Sequence, residues 1–539
     1  MTRTAARFST TIRTATVVAA LVGLGPVAGT ESPLGGTRAV AQVVPRGAQT
    51  VPTLAYDAAL SALAAGEYSA ALDTAARGYA GGVRTGNQRW IDSIPSATTV
   101  GEAQWELGQL REAVAAYDEA ILLGAAHAEW LLAVQFPTQA LQPIVRPRVA
   151  TWGRSGRGTK PAALPDTMSI RQGGGDPQQV LRQGGVLSAP VNVPLRPQEI
   201  MKALVIALYR RGTILGPLAG EGTAIDEINT ALSKRPAPAG HWSQAWIDVA
   251  LGTAAWSQGR FDQALPLLDR GVAFGGKLDH PLTAWGLLVA GRIAMEKDDA
   301  VGAARLFEEA SYAAAEFGDS RALEEALRLA YEAHQAAGSP GVPASVKGAC
   351  EWAAGTLPVL RATLLAAEAE TLASAGNPQG AAARMAEIDA RLLRGDAGRG
   401  ACGVAVAHAA AMVAYAGGDT AAGDADLSKA LAGARPRSPR LFQTARLLEQ
   451  VMAGTNAISD RQADLLFSRL LGDPAPRDFV FDPVEALVAV TTPRPEAFEA
   501  WELVALRRGT DAALAAGEQA LRARWMSLQP AGGRRIGLE

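Results

Sequence analysis

Apolar residues recur at three- and four-residue spacing along most of the chain, the period of an amphipathic helix. Trp105 to Leu123, WELGQLREAVAAYDEAILL, contains two such runs that meet at Gly108. After that glycine, Leu110, Ala113, Tyr117 and Ala120 stand at +2, +5, +9 and +12. The same frame fits Gly66 with Tyr68, Ala71, Ala75 and Gly78, and Gly259 with Phe261, Ala264, Leu268 and Gly271. It fits Asp298 with Ala300, Ala303, Phe307 and Ala310, and more loosely Gly418 with Ala430. Upstream of each anchor a second amphipathic run carries small residues at −7 and −4, among them Gly101, Gly252, Gly291 and Ala411.

The pattern predicts helical hairpins. The anchor ends one helix in a tight turn where glycine tolerates positive φ. The residues at +2, +5 and +9 turn the apolar face of the next helix back onto the first, and small residues at −7 and +5 allow close approach. A lone hairpin cannot bury its own face, so neighbours must stack. Weaker anchors at Gly220, Gly338, Gly376, Gly454 and Gly509 fill the gaps; from Gly220 the steps are 39, 39, 40, 38, 42 and 36, then 55. The stretches VGEAQWELGQLREAVAAYDEAI and ALGTAAWSQGRFDQALPLLDRG carry a small–Gly–aromatic–Ala frame that resembles the tetratricopeptide-repeat family. The period near 40 departs from that family's 34. The resemblance implies an all-α fold, a right-handed superhelical array of antiparallel helical hairpins, and more loosely an exported bacterial repeat protein.

Gly108 to Gly220 spans 112 residues, far more than one unit. The surplus, 137–197, is rich in Pro, Gly and Gln and reads as one long irregular insertion. Apolar residues spaced along it, Leu141, Ile144, Val145, Val149, Trp152, Met168, Ile170, Val180, Leu187, Val191 and Val193, suggest a strap docked on the array, with Gly153 to Lys160 and Gly173 to Gly175 standing free. The predicted layout is a flexible start at 42–50, N-terminal hairpins at 51–136, the insertion, and a main array at 198–471. An irregular linker at 472–495, a final hairpin at 496–528 and a tail at 529–539 complete it.

Residues 1–41 read as a signal peptide. Arg3, Arg7 and Arg13 precede an apolar run from Ala15 to Ala28, which at about 14 residues is too short to span a bilayer. Ala39-Val40-Ala41 before Gln42 has the form of a cleavage site, with Val27-Ala28-Gly29 as the alternative. The expected location is therefore exported, periplasmic or extracellular, with no integral membrane segment after cleavage. A formal charge of −2 gives no bulk electrostatic case for nucleic acid. Two cysteines, Cys350 and Cys402, are too few for a disulfide framework and are expected to stay unpaired.

Motifs of chemistry are sparse. His127, His241, His280, His334 and His408 are scattered without metal-ligand spacing, and His334 falls at a core slot. No nucleophile elbow, phosphate loop or dinucleotide fingerprint is present, so neither metal, cofactor nor catalytic residue is expected. Helical Asp and Glu read as solvated faces. Arg394-Gly395-Asp396 falls where a helix should end, and Arg146, Arg148, Arg154, Arg157 and Lys160 read as a solvated basic loop.

The groove is the remaining candidate surface. In tetratricopeptide-like arrays the first helix of each pair lines the concave side. That places Trp246, Val249, Thr253 and Trp256 beside Trp285, Leu288, Arg292 and Met295, with His408 further along. Trp and Arg are enriched at binding hot spots, although packing between helices would also explain the tryptophans. The expected function is a non-catalytic scaffold for a protein or peptide partner at the cell envelope. The alternatives are the helical half of a larger enzyme or envelope complex, and a glycan-binding solenoid.

Overall fold

The structure is a computed structural model that describes residues 50–528 apart from 86–87, 146, 173–190, 221, 340 and 454–457. Helices follow one another in antiparallel pairs. The first are α1 (Leu54–Ala65) with α2 (Tyr68–Ala80) and α3 (Ser93–Glu106) with α4 (Leu110–Ala126). Beyond the insertion come α5 (Pro197–Leu215) and α6 (Thr223–Ser233), which both pack on α4 and do not form a hairpin with each other; then α7 (Gln244–Ser257) pairs with α8 (Phe261–Gly271), and α9 (Thr283–Glu296) with α10 (Ala300–Glu316). Then follow α11 (Ser320–Ala336) with α12 (Ala344–Trp352) and α13 (Pro358–Ser374) with α14 (Pro378–Ala386). A short α15 (Ala390–Arg394) leads to α16 (Ala401–Ala416) with α17 (Thr420–Ala434), and α18 (Pro439–Met452) with α19 (Asp460–Leu471). The described chain ends with α20 (Pro476–Phe481), α21 (Pro483–Thr491), α22 (Pro495–Arg508) and α23 (Thr510–Leu528).

The anchors do what their chemistry allows. Gly66, Gly108, Gly259, Gly376 and Gly418 all have φ between 72° and 83°, and Asp298 takes the same left-handed turn at 61°. The next residue donates its N–H to the carbonyl five back, as in Gln109 to Gln104 and Asp299 to Ala294, which closes the helix end. The following helix starts two residues after each of these anchors. Its side-chain cap is Asp299 on Gly302, Asn377 on Gly380 or Asp419 on Ala422 in three of them.

The −7 glycine has a defined partner in the +9 residue. A Cβ on Gly101 would stand 2.5 Å from the Tyr117 ring, on Gly252 2.8 Å from Leu268, and on Gly291 2.4 Å from the Phe307 ring. Large +9 side chains thus lie across glycine notches.

Three boundaries differ from expectation. Gly220 is not the turn residue between α5 and α6; the positive φ values fall at Gly216 and Gly222 around a 3-10 turn. After Gly338, α12 waits until Ala344, because Pro343 holds the chain extended ahead of it. Residues 472–495 are not an irregular linker but form α20 and α21, each begun by a proline at its first position. The weak anchor at Gly454 lies outside the described residues, as do the leader, Gly173 to Gly175 and the tail.

The insertion is docked. β3 (Val134–Gln135), β5 (Met168–Gln172) and β6 (Val191–Leu195) form an antiparallel sheet in that order, and β4 (Lys160–Pro161) pairs in parallel with β7 (Leu278–Asp279). (β1, Arg84–Thr85, and β2, Gln88–Arg89, make a small antiparallel ladder elsewhere.) Trp152 is buried between α10 and α12: its Nε1 donates to Ser311 Oγ at 3.0 Å, and its ring meets Trp352 edge-on. Gly153 to Lys160, expected to stand free, is tied down as well. Gly156 donates to Glu309 at 2.6 Å and Arg157 pairs with Asp279 at 3.0 Å.

The first hairpins also meet the late ones. Ser69 N–H donates to Asp396 and Arg437 donates to the Glu106 carbonyl, while Gln443 of α18 donates to the Ile214 carbonyl of α5. The chain therefore comes round on itself with α5 deep inside, nearly every residue of it buried.

Candidate binding chamber

This return encloses an open-mouthed cavity of about 1250 Å³. Its walls come mainly from α5 and from the first helices of pairs, α3, α9, α11, α13 and α16, with α17 to α19 on one side. Phe479, Val480 and Phe481 of α20 and Asp482 to Glu485 with Leu487 around α21 complete the wall. None of its lining comes from the described part of the insertion, so the strap lies outside it.

One wall, through Arg210, Arg292, Arg321, Glu325 and Arg328, is backed by a buried network of opposite charges. Glu102 on α3 accepts from Arg210 Nε at 3.0 Å, Arg321 Nη2 at 3.0 Å and the Tyr117 hydroxyl at 2.7 Å. Arg321 also reaches Glu106 at 3.0 Å. Glu325 on α11 collects Arg210 at 3.1 Å, Arg292 at 2.8 Å, Arg328 at 3.3 Å and the Tyr209 hydroxyl at 2.7 Å. Burial alone would raise the Glu325 pKa. The guanidinium groups of Arg210, Arg328 and Arg292 outweigh it and hold the carboxyl well below its ordinary range. Glu102 is lowered in the same way by Arg210 and Arg321. Each ion has several partners, the condition under which burying it is tolerable.

The next stretch of wall is under-neutralised. Glu332 pairs with Arg328 at 2.5 Å, yet burial and nearby Asp482 push its pKa up to about 8. Its Oε2, like Gln335 Nε2 one turn on, is buried without a hydrogen-bond partner. Burial likewise raises Glu324 and Glu485 to about 7. His408 sits here against Glu370 at 2.7 Å; burial would lower its pKa, but the Glu370 carboxylate raises it. Leu427, Met412, Val404 and Leu487 supply apolar lining.

Of the nine groove candidates, Arg292 and His408 line this chamber, and Val249 and Leu288 are fully buried. Trp246, Thr253 and Trp285 do not, because they have no exposed surface; they pack between helices, and Trp285 Nε1 donates to Asp319. Trp256 stacks on Tyr209, and Met295 packs against the core at its edge. Glu102, Arg210, Arg321, Glu325 and Glu332 were missed because helical charges were read as solvated faces. A signal existed: Arg321, Glu325, Arg328 and Glu332 fall at 0, +4, +7 and +11, one helix face of alternating sign.

The other singled-out groups have structural partners. Asp396 of the Arg-Gly-Asp triplet is turned onto Ser69, and half-buried His334 meets Glu308 at 3.1 Å. Both cysteines are free and buried. Among the described residues no group of His, Cys, Asp and Glu is arranged to hold a metal ion, and no helix is long and apolar enough to cross a membrane. The chain matches no known protein-family model and no curated protein sequence.

Proposed function

We propose that the chain is a helical-repeat scaffold of tetratricopeptide type, a right-handed superhelical array, that receives an extended segment of a protein partner in its chamber. The observation that carries this reading is the chamber itself, walled by helices from several pairs and offering guanidinium, carboxylate and apolar groups side by side. Its volume of about 1250 Å³ exceeds the roughly 300–1,000 Å³ of ordinary small-molecule sites. A peptide presents backbone amides, side-chain charges and apolar side chains together, and this wall has a complement for each. On this reading the function is binding, with no bond made or broken. The basic–apolar leader supports export and a partner at the cell envelope.

The test is site-specific photo-crosslinking in envelope extracts. A benzophenone side chain replacing Met412 in the chamber should capture a protein partner, whereas one replacing exposed Ala515 on α23 should not capture that partner. Equal capture from both positions, or none from the chamber, would overturn the reading.

A further inference from the structure

The last helix, α23, turns an unpartnered apolar stripe to solvent. Leu514, Leu521, Trp525 and Leu528 are 62, 69, 55 and 75% exposed, whereas Ala516 and Met526 on the opposite side are buried. The spacing 0, +7, +11 and +14 puts all four on one face. Together they offer roughly 400–500 Å² of apolar surface, the size of the largest patch on an ordinary monomer, which is often functional.

The stripe has a hole in it. Gly517 lies between Leu514 and Leu521 on the same face, and a Cβ there would meet nothing within 4 Å. The positions are symmetric about Leu521. Gly517 and Trp525 stand four residues to either side, and Leu514 and Leu528 seven. An antiparallel copy of α23, related by a two-fold axis at Leu521, would set Trp525 level with the Gly517 notch and Leu514 level with Leu528. A surface whose bulky residues and gaps exchange places under a two-fold is self-complementary, as a symmetric dimer interface requires.

We infer that α23 is a homodimerisation helix, pairing antiparallel with α23 of a second copy of this chain about Leu521. Other occupants fit less well. A lipid surface favours a strongly basic amphipathic helix. Here Arg522 and Arg524 are balanced by Asp511 and Glu518, and Arg522 is engaged by Asp473 at 2.7 Å. Residues 529–539 carry only Ile536 and Leu538 as large aliphatic residues, too few to cover the four-residue stripe. The inference is independent of the chamber and its partner.

Light scattering coupled to size-exclusion chromatography tests it at about 100 μM, where a micromolar Kd gives mostly dimer. The full chain should elute at twice its 55.9 kDa mass, or twice the processed mass if the leader is cleaved. Trp525→Glu and Gly517→Trp should each shift it to single-copy mass, with unchanged circular dichroism. The exchange variant, Gly517→Trp with Trp525→Gly, moves bulk and notch together and should restore the dimer. A monomeric wild type, or a dimer that survives Trp525→Glu, would overturn the proposal. Failure of the exchange variant to recover would overturn the register about Leu521. Flotation of a monomer with phosphatidylglycerol vesicles would assign the stripe to lipid instead.

Discussion

The backbone N–H of Ser69 donates to the Asp396 carboxylate at 2.7 Å, across 327 residues of sequence. One bond joins the start of α2 to the turn before α16, and so holds the first hairpin against the late ones. The N–H is one that the first turn of α2 cannot satisfy internally. Asp396→Ala should therefore cost about 1–2 kcal/mol and speed hydrogen exchange in α1 and α2 ahead of the rest. Asp396→Asn keeps an acceptor and should lose less. Unchanged exchange in α1 and α2 would mean that the contact holds nothing in place.

Gly291 lies directly under the Phe307 ring. Alanine is the better helix former by about 1 kcal/mol, so propensity alone favours Gly291→Ala. The added methyl would sit 2.4 Å from a ring carbon, and overpacking of that kind costs about 1–3 kcal/mol. The clash should win, lowering the urea midpoint, and Phe307→Leu in the same chain should recover part of the loss. A rise in stability for the single variant would refute close packing at this notch.

How far the sequence disclosed this architecture follows from what each feature depends on. Anchors such as Gly108 and Gly259 were legible because a left-handed turn is a local demand that few residues meet. The Gly291–Phe307 notch was half legible, since spacing fixed both positions but not their contact. The chamber was not. Trp246 and Arg292 both sit on first helices, and only the crossing of α5 beneath them decides that one is core and the other wall. Glu102 and Arg210 lie 108 residues apart, and no local pattern announces that they meet.

Glu325 gathers three arginines and a tyrosine from α5, α9 and α11. Removing it leaves several buried guanidinium groups short of charge, a change that typically costs about 3–5 kcal/mol. Glu325→Ala should lower the denaturation midpoint accordingly, and Glu325→Gln only partly rescue it, because shape returns without charge. A variant as stable as the wild type would show that the network adds nothing to folding.

Trp152 anchors the insertion to α10 and α12 through its buried ring and its bond to Ser311. Trp152→Ala removes both, on the scale of about 3–5 kcal/mol for a fully packed site. The loss should be felt first in the insertion, which this ring ties to α10 and α12. Limited proteolysis should then cut within 137–165 while the helical remainder stays intact. Equal resistance in variant and wild type would mean that the strap is held elsewhere.

Glu332 predicts an unusual pH dependence. Its pKa is raised to about 8 in the folded chain against an ordinary value of 4.5, so the folded state holds its proton more tightly than the unfolded state does. Stability from this group is fully present below about 4.5 and is lost as pH rises through 8. Glu102 and Glu325 act oppositely: their lowered values contribute stability above 4.5 that is lost in acid. Glu332→Gln removes the titration, and Arg328 still keeps Glu325 as its carboxylate partner. The variant should therefore melt higher than the wild type at pH 8.5, by a few degrees, with the gap closing towards pH 5. Glu324 and Glu485 also titrate near 7, but they are common to both proteins and cancel in the difference. Melting curves at half-unit steps from pH 5 to 8.5 check this. A difference that stays constant with pH would show that Glu332 is ionised throughout and that Arg328 alone neutralises it.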